Sequence, residues 1–121
     1  MKRKHHDLLV WQEAMLLVQE IYQVTARFPQ EELYALTSQM RRAAVSIPSN
    51  IAEGAGRTGQ KEFLQFLSIA RGSLSELETQ ILISDNLGYL SVKKILLDKV
   101  DKVFRLLAGL INSLRKEIDK K

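Results

Sequence analysis

Residues 63–82 read FLQFLSIARGSLSELETQIL, and their apolar side chains recur at alternating spacings of four and three residues. This rhythm places one apolar stripe along a helix and leaves the opposite face polar. The stripe consists of Phe63, Leu67, Ala70, Leu74, Leu77 and Ile81. The pattern predicts a helix that extends to about Leu87, where Gly88 supplies the left-handed residue that commonly follows a helix.

The same period recurs in two segments that precede this helix. The first stripe follows Asp7, a predicted N-cap, and consists of Leu8, Trp11, Met15, Val18, Tyr22 and Thr25. The second stripe consists of Leu36, Met40, Ala43, Ile47 and Ile51. The sequence leaves two possible starts for this second helix. Either Pro29 lies in its first turn, ahead of Glu31 and Glu32, or the helix begins later with Thr37 as its N-cap.

A fourth helix is predicted after Ser91, its expected N-cap. Its stripe consists of Leu96, Val100, Val103, Leu107, Leu110 and Leu114. No segment alternates as a half-buried strand would, so the predicted fold class is all-α. Four helices with short connections predict an antiparallel, up-down-up-down four-helix bundle. We expect one domain over residues 1–121, with residues 1–6 forming a flexible basic tail.

Composition limits the classes of protein to consider. The chain has 121 residues, a formal net charge of +4 and no cysteine, so disulfides and cysteine-based zinc sites are ruled out. No apolar run is long enough for a signal peptide or a membrane span. We expect a cytoplasmic protein without membrane contact, whose moderate positive charge favours polyanionic partners.

Three glycines between the second and third helices form a possible nucleotide-binding motif. Gly54, Gly56 and Gly59 have the spacing G-x-G-x-x-G of dinucleotide-binding loops. That motif requires a preceding strand and a parallel sheet, whereas a helix precedes it here. A phosphate loop is also excluded, because no Ser or Thr follows Lys61. We therefore interpret Gly54 as a helix C-cap and expect no cofactor.

Catalytic and metal-binding patterns are lacking. The only histidines, His5 and His6, are adjacent in the predicted tail, where a solvated position is favoured. The Glu-x-x-His pairs of di-iron bundles do not occur. We expect neither an enzyme nor a metal site.

The second helix carries a further, weaker apolar stripe of Val45, Pro48 and Ala52. Because a bundle helix needs only one buried stripe, this stripe is a candidate oligomer interface. The alternative is a core helix that Pro48 kinks by removing a backbone hydrogen bond.

Basic residues form the candidate nucleic-acid site. Arg41, Arg42, Arg57 and Lys61 lie near the glycine loop in the sequence, and we expect them to contact phosphates. Solvated helix ends are the alternative. Two other groups are Lys2–Lys4 and a set on the fourth helix: Lys93, Lys94, Lys99, Lys102 and Arg105. Asp98 lies four residues from both Lys94 and Lys102, so part of this last set is expected to form a salt-bridged, solvated face.

Several stretches resemble one family. DLLVWQEA, FPQEELYALTSQMRRAAVSIPSNIAEGAGR, EFLQFLSIARGSLSELETQ and LGYL are similar to the four-helix bundle proteins encoded in intervening sequences of bacterial 23S rRNA genes. The resemblance spans residues 7–118. It implies assembly into ring-shaped homopentamers and likeness to the accessory protein of diversity-generating retroelements, a basic pentamer that binds nucleic acid and a reverse transcriptase.

Two functions follow as expectations. The first is a homo-oligomeric protein that binds nucleic acid, structured RNA above all, and it rests on the resemblance, the net charge and the arginines. The alternative is an oligomeric scaffold that binds a protein partner without contacting nucleic acid. Binding to generic RNA over a salt series separates the two, because phosphate contacts release counterions.

Overall fold

The computed structural model describes residues 2–120, which form four α-helices and two single turns of 3-10 helix. The α-helices are α1 (Leu9–Thr25), α2 (Leu36–Ala55), α3 (Gln60–Asn86) and α4 (Lys93–Asp119). The 3-10 turns are Lys4–Asp7 and Gln30–Glu32. The structure describes no strand in these residues, so the predicted all-α class is confirmed. Met1 and Lys121 lie outside the described residues.

Each α-helix packs along the next one in the chain, and α4 packs back against α1. Short connections make consecutive helices antiparallel, as in an up-down-up-down bundle. The predicted stripe of α3 is buried from Phe63 to Ile81. Burying a Leu or Ile side chain contributes about 1.5–3 kcal/mol, so these stripes supply most of the stability. None of the helices within residues 2–120 is long and apolar enough to cross a membrane.

Helix α1 buries a stripe that lies one residue out of step with the predicted one and shares only Thr25 with it. Its buried residues are Val10, Ala14, Leu17, Ile21 and Thr25. Of the predicted stripe, Met15 is 40% exposed and Tyr22 is 43% exposed. The prediction was wrong because α1 carries two apolar stripes roughly 100° apart, and period alone does not rank them.

The predicted helix ends are correct at one position and wrong at others. Leu8, not Asp7, is the N-cap of α1, and the Asp7 carboxylate lies 2.9 Å from the Lys2 ammonium. Val92 rather than Ser91 caps α4. Helix α2 begins at Leu36. Gly88 has a φ of +81°, as predicted for the residue that ends α3.

Neither proposed start of α2 is correct. Pro29 precedes only the short 3-10 turn, and Thr37 is buried inside the first turn of α2. In α4, the buried residue is Ile111 in place of the predicted Leu110, which is half-buried.

Helices α2 and α3 approach closely through small side chains. Gly54 lies inside the last turn of α2 and is not its C-cap, because the helix continues to Ala55. A Cβ atom at Gly54 would lie 2.7 Å from the Cβ of Phe66. Farther along, the hydroxyls of Ser46 and Ser73 are 2.8 Å apart. Gly54 is therefore required by packing.

Ion pairs join α1 to α4. The Lys99 ammonium lies 2.7 Å from the Glu20 carboxylate, and that of Lys102 lies 2.9 Å from the Glu13 carboxylate. These pairs correct the prediction that Lys102 pairs with Asp98 on a solvated face. The other predicted pair, Lys94 with Asp98, is formed at 3.2 Å.

Candidate nucleic-acid interface

The four predicted phosphate-binding residues do not form one cluster. Arg41 and Arg42 lie in the first half of α2, whereas Arg57 follows its last residue. Residues 43–55 of α2 lie between Arg42 and the end of the helix, a distance of roughly 20 Å along the axis. Lys61 lies in the first turn of α3, beside Arg57 in the chain. The structure therefore divides the candidate site into two regions.

The first region, here called the basic end, combines Arg57 and Lys61 with the N-terminal residues Lys2–Lys4. The Lys4 ammonium lies 5.1 Å from the centre of the Phe63 ring. The Arg57 guanidinium lies 5.0 Å from the centre of the Phe66 ring. Because Phe63 and Phe66 are neighbours on one turn of α3, these cations flank the same short stretch of helix. The N-terminal basic run, predicted as a separate group, thus joins the glycine loop.

Acidic residues neutralise part of the basic end. The Arg57 guanidinium lies 3.1 Å from the Glu53 carboxylate and 3.8 Å from that of Glu62. All three side chains are about half exposed, and such ion pairs contribute at most about 1 kcal/mol. A phosphate can therefore compete for Arg57. Within residues 2–120, the structure places no carboxylate within ion-pair distance of Lys4 or Lys61.

Three aromatic rings meet beside the basic end. The His5 and His6 rings lie 4.4 Å apart between centres, at 5.0 Å and 5.4 Å from the Trp11 ring. The Arg3 amide donates a 3.0 Å hydrogen bond to Nδ1 of His6. Burial lowers the pKa of His5, and the charges of His6 and Arg3 lower it further. The histidines were assigned to a solvated tail, and this was wrong because both pack against Trp11 and are half-buried.

The second region is a groove of about 610 Å³ between α1, α2 and the segment that joins them. Arg41 is held against α1, because its Nε donates a 2.9 Å hydrogen bond to the Thr25 hydroxyl and its guanidinium lies 4.6 Å from the Tyr22 ring. Tyr34 is 92% exposed at the rim. We call this region the α1–α2 groove. Its lining residues are Tyr22, Leu33, Tyr34, Ser38, Arg41, Arg42, Val45 and Ser46.

The predicted oligomer-interface residues have unequal exposure. Val45 is 40% exposed and lines the α1–α2 groove. Ala52 is half-buried, and Pro48 is buried inside the bundle. Pro48 is therefore unavailable to a second copy, which corrects its assignment to the interface.

Sequence reasoning missed the tyrosines of this groove. The helical period had assigned Tyr22 to the core, and Tyr34 lies in a segment without a period. The one sequence signal is the adjacent pair of large apolar residues, Leu33 and Tyr34, in the connection between α1 and α2.

Residues 2–120 form neither a cluster of metal-binding side chains nor the strand–loop–helix unit of a dinucleotide site. Residues 2–120 contain no group of three or more His, Asp or Glu side chains able to hold a metal ion. Gly54 lies in α2, while Gly56 and Gly59 border the loop before α3. A helix thus precedes the glycine motif where a dinucleotide fingerprint requires a strand.

Comparison with known proteins confirms the resemblance drawn from the sequence. Residues 6–109 match the model of a family described as 23S rRNA-intervening sequence protein. The match covers α1, α2, α3 and most of α4. A search of curated proteins found no matching relative.

Proposed function

The chain belongs to the family of 23S rRNA-intervening sequence proteins, and from this membership we propose that it is a homo-oligomeric RNA-binding protein whose basic end contacts phosphates. One observation carries the proposal. The N-terminal turn places Lys4 beside Phe63, in the first turn of the helix that also carries Lys61. Lysine and arginine side chains are among the groups that contact phosphates in nucleic-acid complexes, and they neutralise the phosphate charge.

The affinity of the basic end for RNA comes from its positive charge and from the presence of several basic ends in one oligomer. A single copy has a formal charge of +4, and several copies in one assembly add their fields. Individual phosphate contacts are weak and non-specific, with dissociation constants near micromolar or poorer at physiological salt. Several basic ends that engage one RNA act at a high effective concentration, which favours long or structured RNA.

We assign the contact between copies to the α1–α2 groove. Tyr22, Leu33, Tyr34 and Val45 expose apolar surface there, next to two arginines. Tyrosine and arginine are enriched among the residues that dominate protein interfaces. Of the predicted interface stripe, Val45 lines this groove, and the half-buried Ala52 lies two turns further along α2. A closed ring, the pentamer that the family resemblance implies, repeats the basic end around one axis.

The phosphate contacts are tested by removing two charges from the basic end. Arg57→Gln with Lys61→Gln avoids the repulsion that glutamate would create beside Glu53 and Glu62. Each lost contact to single-stranded RNA lowers the slope of log K against log salt by about 0.7, so the slope flattens by about 1.4 for each bound chain. Fluorescence anisotropy of labelled RNA over a salt series measures this.

A charge-matched control uses the exposed face of α4. Lys94→Gln with Arg105→Gln removes the same charge far from the basic end. The control should leave the slope near that of the parent. Equal losses in the two variants would mean that net charge, and not the basic end, governs binding.

The assembly is tested with Val45→Glu. This variant should dissociate the oligomer, because it places a carboxylate in an apolar contact, while helicity stays unchanged. Ile95→Glu is the control, since Ile95 is 56% exposed and lies outside the α1–α2 groove. Light scattering reports the mass. A monomeric parent at micromolar concentration contradicts the assembly.

The second candidate function is a scaffold for a protein partner. In this case a protein partner, and not a second copy, occupies the α1–α2 groove, whose mix of tyrosine, arginine and aliphatic side chains suits a protein ligand. If the parent shows no salt-dependent RNA binding, the scaffold becomes the better proposal.

A further inference from the structure

The rings of His5, His6 and Trp11 form what we call the aromatic triad. All three side chains are half-buried, so each still presents part of its ring to solvent. Trp11 packs on one side against the core, whereas the histidines stand on the short 3-10 turn. The turn is fixed at two points: the Arg3 amide bonds to the His6 ring, and the Gln12 side chain donates a 2.8 Å bond to the His6 carbonyl.

The aromatic triad lies next to the positively charged residues of the basic end. Lys2, Arg3 and Lys4 immediately precede the histidines, and Lys4 reaches the Phe63 ring at the basic end. Proteins that bind single strands combine a cationic surface for the backbone with aromatic rings on which bases stack. A duplex hides its base faces, whereas a loop or single strand leaves them free. The juxtaposition therefore matches unpaired nucleotides better than paired ones.

We propose that the aromatic triad stacks on unpaired bases of RNA whose phosphates are held by the basic end. This inference rests on the RNA-binding function proposed above and names its substrate class, which is single-stranded RNA or the loops of structured RNA. The bases contribute through their π-faces, so the site is tolerant of sequence.

Trp11 provides a direct readout, since it is the only tryptophan in the chain. Three probes of equal length separate the contributions: a single-stranded RNA, the duplex of the same sequence, and an abasic strand. We expect the single strand to quench Trp11 fluorescence. The duplex and the abasic strand should bind through phosphates, as anisotropy shows, without equal quenching.

Substitutions at His5 test the rings and leave the hydrogen bond between the Arg3 amide and the His6 ring in place. His5→Ala should weaken single-strand binding roughly tenfold, the loss expected for about one stacked base, and leave duplex binding unchanged. His5→Phe keeps an aromatic ring at this position and should retain single-strand affinity. Far-UV circular dichroism of both variants checks that the bundle is intact.

The outcomes distinguish this inference from the function on which it rests. If the parent binds single strand, duplex and abasic strand with equal affinity and equal quenching, stacking is refuted while phosphate binding stands. The same holds if His5→Ala weakens single-strand and duplex binding by the same factor. A parent that binds none of the three probes at low salt refutes the RNA-binding function itself.

Discussion

Replacing Gly54 with alanine is expected to destabilise the protein, although the same change normally strengthens a helix. Alanine is favoured over glycine inside helices by about 1 kcal/mol. At Gly54, however, the added methyl would lie 2.7 Å from the Phe66 Cβ and 2.9 Å from Cδ1 of Phe63. Carbon atoms in contact prefer about 3.5–4.0 Å, and the Phe66 Cβ cannot rotate away because it is attached to the backbone.

The magnitude follows from these two opposing effects. Forcing an extra methyl into a packed interface costs about 1–3 kcal/mol, because the helices must shift apart. After the gain in helix propensity, we expect Gly54→Ala to lower the free energy of unfolding by up to about 2 kcal/mol. Each kcal/mol corresponds to about 4 °C in melting temperature for a chain of this size.

Two other glycines serve as matched controls. Gly72 and Gly109 lie inside α3 and α4, and a Cβ atom at either position meets no atom within 4 Å. Alanine at each should raise the free energy of unfolding, by at most about 1 kcal/mol. Urea unfolding followed by circular dichroism compares the three variants. If Gly54→Ala stabilises the protein as the controls do, the close approach of α2 and α3 is refuted.

Three further predictions concern the core, the ion pairs and the aromatic triad. Leu74 is fully buried, so Leu74→Asp should lower the free energy of unfolding, measured in urea, by several kcal/mol. An unfolding transition like that of the parent would mean that residue 74 lies outside the core. Lys102→Glu should destabilise the protein through repulsion with Glu13, and adding Glu13→Lys should restore up to about 1 kcal/mol of the free energy of unfolding. A double-mutant cycle that gives zero coupling energy would show that this ion pair does not contribute to stability. The lowered pKa of His5 favours its neutral form in the folded turn, so the turn loses stability as the pH falls below the ordinary value of 6.5. Trp11 fluorescence emission should therefore shift as the pH falls below this value, and His5→Phe should abolish the shift. An emission spectrum of the parent that does not change with pH would contradict this prediction.

Periodicity predicted the buried faces of α2, α3 and α4 better than that of α1. Helix α3 has one apolar stripe, from Phe63 to Ile81, and every member is buried. Helix α1 has two stripes, and in the predicted one Met15 and Tyr22 are exposed whereas Trp11 and Val18 are only partly buried. Sequence alone does not reveal which flank of a helix a neighbour will cover, so a doubly apolar helix remains ambiguous.

The candidate site was harder to predict because it depends on contacts between distant residues. Arg42 and Arg57 both lie near the glycine loop in the sequence, yet the part of α2 between them separates them by roughly 20 Å along the helix axis. Conversely, nothing local indicates that Lys4 will contact Phe63 or that two histidines will pack on Trp11. Pro48 shows the same difficulty, since its burial depends on the helices packed around α2.

The ion pairs between α1 and α4 have a consequence for the handedness of the bundle. Four helices with one apolar stripe each can be arranged clockwise or anticlockwise around the core, and both arrangements bury the same stripes. Glu13 and Glu20 are two turns apart on one flank of α1, and they meet Lys102 and Lys99 on α4. In the mirror arrangement that acidic flank would face α2, and both ion pairs would be lost. Charges at the surface thus favour one chirality of the fold.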